Sequence, residues 1–244
     1  VKAAPQDQRR LLDLQAVDTA LNQLAHRRKS LPELAEIDTV SREISVLEDE
    51  RVRAQVAVDD IDRDISRFEK DIDQVRTRKQ RDQARLDAGG ALKEIEGLQH
   101  ELATLNRRQS ELEDAELELM EQRESAEQTL NEVKKRIADA VERRNAAEAR
   151  RDEAYADITK EHEFKTQSRA PLANDLPQDL VQLYDKIRTE TGLGAALFRS
   201  GRCGGCRIEL YGADLARVKS AAPDEVVRCE ECRRIMVRTA ESGL

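Results

Sequence analysis

Residues 72–105 read IDQVRTRKQRDQARLDAGGALKEIEGLQHELATL, and the Gly89-Gly90 pair at their centre decides the fold. Two adjacent glycines can both adopt φ > 0 without steric cost, so a helical chain reverses there. Stepping alternately by 3 and 4 from Ile37 to Leu86 visits fifteen positions, of which twelve are apolar; Arg51, Lys79 and Asp82 are the exceptions. The same stepping from Ile95 to Ile158 visits nineteen, of which fourteen are apolar; Gln109, Glu116, Arg123, Arg144 and Arg151 are the exceptions. A random register in a chain that is 39% hydrophobic would give about six and about seven. Disorder is therefore rejected, and the 3.5-residue period specifies a left-handed supercoil. The two arms should fold back as an antiparallel hairpin in which residue i faces about residue 179 − i, the first arm being about 75 Å long.

Working outward, no proline lies between Pro32 and Pro171 to stop a helix. Leu14, Val17, Leu21, Leu24 and Leu31 repeat the same spacing upstream. They predict a first helix over about Gln6–Lys29, packed on the base of the hairpin against residues 130–158. Ser30-Leu-Pro-Glu33 reads as the start signal of the next helix. Pro171 to Gly192 holds one more helix, with Leu180, Leu183, Tyr184 and Ile187 on one face. Beyond Ala195 the texture becomes short and β-like: ALFRSG, RIELYG, EVVRC and RIMVRT, with a helical insert at ADLARVKSAAP.

The composition agrees. Of 244 residues 38% are charged and 2% aromatic, with no Trp, which excludes a single large conventional core. Five of the six aromatics lie between Tyr155 and Tyr211. The net charge of −8 divides into −10 for residues 1–194 and +2 for residues 195–244. No stretch is apolar enough to span a membrane and VKAAPQDQRR lacks the core of a signal peptide, so a cytoplasmic protein is expected.

Cys203-Gly-Gly-Cys206 and Cys229-Glu-Glu-Cys232 are the four cysteines of the chain. Two residues between paired thiolates let both sulfurs reach one ion, and a second such turn completes a tetrahedron. We expect one structural Zn2+ on Cys203, Cys206, Cys229 and Cys232, closed to water and serving folding. A redox dithiol pair, disfavoured by the absence of a βαβ pattern, and an iron–sulfur cluster are the rival uses. Nothing suggests catalysis: His162 in Glu161-His162-Glu163 lacks the second histidine of HExxH, His26 and His100 stand alone, and GxxxxGK, GxGxxG and GxSxG are absent.

Two basic patches are candidate partner surfaces. Arg199, Arg202 and Arg207 flank the first cysteine pair, and Arg228, Arg233, Arg234 and Arg238 the second. Arg76, Arg78, Lys79, Arg81 and Arg85 crowd the hairpin tip, whereas Gln109 to Glu127 carries eight acids against Arg123. Solvated strand and coil faces are the alternative reading of both.

A hairpin coil, the Leu176-Pro-x-x-Leu-x-x-Leu-Tyr184 helix and a terminal CxxC…CxxC together resemble the bacterial family of four-cysteine zinc-ribbon proteins with an N-terminal hairpin coiled coil. The resemblance implies zinc on the four cysteines, an elongated two-domain shape, and nucleic-acid and transcription-related protein partners. The expectation is thus a mainly α protein: residues 1–165 a helical coiled-coil hairpin, residues 166–244 a helix plus a small β-rich zinc ribbon. Its expected role is that of a non-enzymatic adaptor in gene regulation, with RNA or DNA on the ribbon and a protein on the coil, and no membrane or small-molecule substrate. The alternative is a protein–protein scaffold throughout. Glu230 and Glu231 inside the second pair would repel phosphate.

Overall fold

The computed structural model describes residues 1–243; Leu244, the last residue of the expected ribbon domain, lies outside the described residues. Helices α1 (Pro5–Lys29), α2 (Pro32–Asp87) and α3 (Leu92–Asn174) are followed by α4 (Gln178–Thr191). Strands β1 (Ala195–Arg199) and β2 (Arg202–Cys203), helix α5 (Gly212–Ser220) and strand β3 (Ile235–Val237) complete the chain, with a short 3-10 turn at Ala240–Ser242. The fold divides into two compact units, Ala35–Glu148 and Val1–Leu34 with Ala149–Leu244. No helix among the described residues is long and apolar enough to cross a membrane.

In the Ala35–Glu148 unit, α2 and α3 form the expected hairpin, with Gly89 at φ 76°. Its buried apolar residues, among them Val40, Leu47, Val58 and Ile72 on α2 and Leu98, Leu112, Leu130 and Ala140 on α3, all fall on the stepped positions. Two of the interruptions meet each other, Lys79 donating to Gln109 at 2.7 Å. Near the tip the ion pairs Arg85–Glu94 and Arg78–Glu101 have the expected sum of 179, whereas Arg76–Glu113 sums to 189. Farther along, Asp62–Arg123, Glu50–Arg136 and Glu43–Arg143 sum to 185 or 186. Side chains lean toward the N-terminus of their own helix, so on antiparallel helices charged ends meet when both Cα atoms lie later in sequence than the facing pair.

In the other unit, α1 does more than cover a helical base. Its C-terminal end packs as expected, Leu24 and Leu31 against Ile158. Its N-terminal half does not: Leu11 and Leu14 join Leu180, Tyr184 and Ile187 of α4 and Ala195, Ile235 and Val237 of the sheet in one core. The chain start continues this attachment, the Ala3 N–H donating to the Asp224 carbonyl at 2.8 Å. Ser30 closes α1, its hydroxyl donating to the His26 carbonyl at 3.0 Å, instead of capping the helix after it.

The sheet runs β2-β1-β3, with β1 antiparallel to β2 and parallel to β3. Ser200 and Gly201, both at positive φ, make the tight turn between β1 and β2. RIMVRT and ALFRSG supply strands, but among the described residues RIELYG contributes the isolated bridge Arg202↔Glu209, and EVVRC the isolated bridges Lys2↔Glu225 and Arg228↔Ile235. Ile208 and Cys229 each spend a backbone group on closing a cysteine turn, and the Val227 carbonyl accepts from the Met236 N–H at 2.8 Å without a continued ladder. Residue 165 falls inside α3, which runs through Pro171 to Asn174. Strand alternation gives β3 two duties: Ile235 and Val237 face the α1–α4 core, and Met236 joins Phe198, Val218 and the cysteines.

Candidate metal centre and the charged surfaces around it

The two cysteine turns are built alike. The Cys203 N–H donates to the Ile208 carbonyl at 3.0 Å and the Arg207 N–H to the Cys203 carbonyl at 2.7 Å. In the second turn, the Cys229 N–H donates to the Arg234 carbonyl at 3.0 Å and the Arg233 N–H to the Cys229 carbonyl at 2.9 Å. Each loop closes through an arginine held in the left-handed region, Arg207 at φ 65° and Arg233 at φ 61°. That conformation costs a non-glycine residue about 1–2 kcal/mol, so the turns need an external constraint. Gly204 fits for a packing reason: a Cβ there would stand 2.6 Å from the Leu197 carbonyl oxygen of β1, to which its own N–H donates at 2.9 Å.

The four Sγ atoms lie within 4.8 Å of one another, with Cys203–Cys232 at 3.7 Å and Cys206–Cys229 at 3.8 Å. A tetrahedron with Zn–S bonds of about 2.3 Å has edges of about 3.8 Å, so the sulfurs are spaced as one zinc requires. Burial pushes the Cys203 thiol up to about 12, against the pull of the Cys206 and Gly205 N–H groups. Burial likewise raises Cys229, opposed by the N–H groups of Cys232 and Glu231. At Cys232 burial is outweighed by the Arg234 N–H and the neighbouring thiols, which hold it below its ordinary value. The amide donors aimed at sulfur stabilise thiolate, the form that binds metal, while the dry surroundings demand a cation to accompany it. Cys203, Cys206, Cys229 and Cys232 form a C4 zinc site for one structural ion, which when bound supplies cross-linking of the two turns.

The seven ribbon arginines are not gathered into one open patch. Arg238 donates to the carbonyls of Ala221 (2.7 Å), Ala222 (2.6 Å) and Glu225 (2.8 Å), closing the loop after α5. Arg234 donates to the carbonyls of Thr191 (2.9 Å) and Leu193 (3.2 Å), and Arg228 to that of Arg233 (3.0 Å). Arg199 pairs with Glu241, Arg202 with Glu209 and Arg233 with Glu230. Arg207 alone of the seven has no side-chain partner among the described residues. At the hairpin tip, Arg76 pairs with Glu113, Arg78 with Glu101 and Arg85 with Glu94, and Lys79 bonds Gln109; Arg81 has no partner among the described residues.

The sequence reading missed a polar cluster that fastens this unit. Asp18, fully buried, accepts from Tyr184 Oη (2.8 Å) and Arg169 Nε (2.7 Å) and is ion-paired with Arg188, whose Nη1 lies 3.0 Å away. Gln15 Oε1 accepts from the N–H groups of Gly194 (2.7 Å) and Ala195 (3.2 Å), where α4 gives way to β1. Burial and the Asp18 carboxylate push the Tyr184 hydroxyl far above its usual range. The available signal was spacing: Leu11, Leu14 and Asp18 step by 3 and 4, which puts the acid on the apolar face of α1.

Comparison with known proteins agrees with this geometry. Residues 14–192 match the CT398-like coiled coil hairpin domain, and residues 202–236 match the C4-type zinc ribbon domain. The uncharacterized protein Rv2229c of Mycobacterium tuberculosis is 38% identical over 239 residues, which span 98% of both chains. A solved Mycobacterium smegmatis structure superposes with a TM-score of 0.89 at 36% identity, over 98% of this chain and 100% of the other. CT398 from Chlamydia trachomatis shares the fold, with a TM-score of 0.66 at 19% identity over 96% and 98%. A helical hairpin on the predicted seam and four sulfurs at zinc spacing, in a chain matched along nearly its whole length, place this protein in the CT398-like coiled-coil hairpin family with a C4-type zinc ribbon.

Proposed function

We propose that this chain is a non-enzymatic adaptor whose zinc ribbon and hairpin both bind proteins. The engagement of the ribbon arginines carries the reading. Six of the seven candidate phosphate contacts are ion-paired or donate to backbone carbonyls, and Arg234 and Arg238 would have to abandon the turns they brace before reaching a nucleic acid. With four thiolates and one zinc adding −2, the +2 of residues 195–244 becomes close to neutral, so no long-range field draws a polyanion. Four sulfur ligands also complete the zinc coordination and leave no position for a reactive water. The ribbon instead exposes Ile208 and Tyr211, apolar surface of the kind protein interfaces use.

Nucleic-acid binding in gene regulation is the competing role, with Arg207 and the exposed Tyr211 as its remaining contacts. Titration of the zinc-loaded chain with single-stranded RNA and duplex DNA from 50 to 200 mM salt decides between them. The adaptor reading expects weak association without a steep salt slope. Tight binding that falls by orders of magnitude over that range, and is lost in Arg207→Ala, would overturn it.

A further inference from the structure

Along α3 the seam changes character between Leu112 and Ala126. Glu116 and Arg123 occupy stepped positions, while Leu117 and Met120 sit one residue past such positions, turned outward and 59% and 52% exposed. With Ile65 of α2 they floor a groove of about 590 Å³ within the hairpin unit. Its rim is acidic. Glu69, Glu116, Glu121 and Glu124 have no basic partner among the described residues. Arg123, the one basic residue lining the groove, is occupied by Asp62 and by Glu127 at 3.0 Å.

We propose that this groove docks a basic amphipathic helix of a partner protein, its apolar residues on Leu117, Met120 and Ile65 and its Lys or Arg side chains reaching the acidic rim. The proposal rests on the protein-adaptor reading and assigns the coil's share of it. Two arguments fix the occupant's chemistry. An apolar strip about one helical turn long suits anchors at i and i+3 or i+4, and methionine adapts to the side chains it receives. Three of the unpaired carboxylates lie on α3 between Glu116 and Glu124, about 12 Å of helix, and repel one another until cations approach. The same field rejects nucleic acid and anionic membrane surfaces. The tip of a second copy is a poorer fit, because Arg76, Arg78, Lys79 and Arg85 are already engaged by their own α3.

The test titrates the full zinc-loaded chain with a labelled 18-residue peptide of Leu and Lys set at helical period, and with a peptide of the same composition scrambled to remove the apolar face. The amphipathic peptide should bind about tenfold more tightly than the scrambled one. Leu117→Gln with Met120→Gln should remove that advantage without altering thermal unfolding, both side chains being exposed, and Glu116→Gln with Glu124→Gln should flatten the salt dependence. Equal affinity for the two peptides, or an advantage that survives Leu117→Gln with Met120→Gln, overturns the groove as the docking site. Self-association of the chain that the same pair abolishes overturns the occupant in favour of a second copy. Failure of the groove with no salt-steep RNA or DNA binding leaves the adaptor reading standing, whereas such binding overturns that reading whatever the peptides do.

Discussion

Asp18→Asn tests the fastening of α1 to α4 and the sheet. The carboxylate has no solvent exposure, accepts from Tyr184 and from both Nε and Nη2 of Arg169, and is ion-paired with Arg188. The amide keeps one acceptor oxygen and turns an NH2 toward Tyr184 Oη and the Arg169 guanidinium, two donors. Removing one partner of a buried ion pair costs about 3–5 kcal/mol. Here the lower end applies. Arg169 and Arg188 keep 22% and 30% side-chain exposure, Asp185 still pairs with Arg169 at 2.5 Å, and Tyr184 can turn fully to Gln15 Oε1 at 3.2 Å. A loss of about 3 kcal/mol lowers the midpoint of this unit by about 10 °C. Near-UV circular dichroism reads it selectively, because the protein has no Trp and Tyr155, Tyr184 and Tyr211 all lie in the Val1–Leu34 and Ala149–Leu244 unit. A shift under 2 °C, or an equal shift in the far-UV signal of the hairpin, would refute the assignment of this network as a local fastener.

Three further outcomes follow from particular contacts. Tyr184 is held neutral by burial and by Asp18, so its contribution is complete below the unfolded value of about 10 and is lost as pH rises past it. Tyr184→Phe should therefore be about 1 kcal/mol less stable at pH 7 and close part of that gap above pH 10, measured by urea unfolding; a constant gap contradicts the shift. Gly204→Ala sets a Cβ 2.6 Å from a backbone oxygen and should weaken zinc retention in chelator competition at least tenfold, with hairpin helicity unchanged. Ala140→Leu, at a site with no exposure between Val40 and Leu47, should cost about 1–3 kcal/mol of hairpin stability by far-UV thermal unfolding, and a stabilised variant would contradict the close helix approach.

The parts of this protein that were legible in its sequence are those governed by one local rule. The 3.5-residue seam depends on spacing alone, and the Gly89 turn and the paired cysteines are equally local. Where several rules compete, reading failed. RIELYG alternates Ile208 with Leu210 and EVVRC sets Val226 beside Val227, yet each lies against a cysteine turn whose closing hydrogen bonds, from Cys203 to Ile208 and from Cys229 to Arg234, interrupt a continuous ladder. The arginines looked like surface charge because sequence shows residue type and not the unpaired carbonyls that Arg234 and Arg238 satisfy. Asp18 is not legible as a network residue because its partners Arg169 and Tyr184 lie 151 and 166 residues away, on helices whose meeting no local pattern specifies.

Zinc should organise the C-terminal fold while the coil needs only its own seam. Hydrogen exchange of the intact chain, before and after zinc is stripped by chelation and its loss verified by metal analysis, tests this most directly. Amides of residues 195–238 should lose protection while those around Val40, Leu47, Leu130 and Ala140 keep theirs. Unchanged protection across residues 195–238 in the metal-free chain would contradict it.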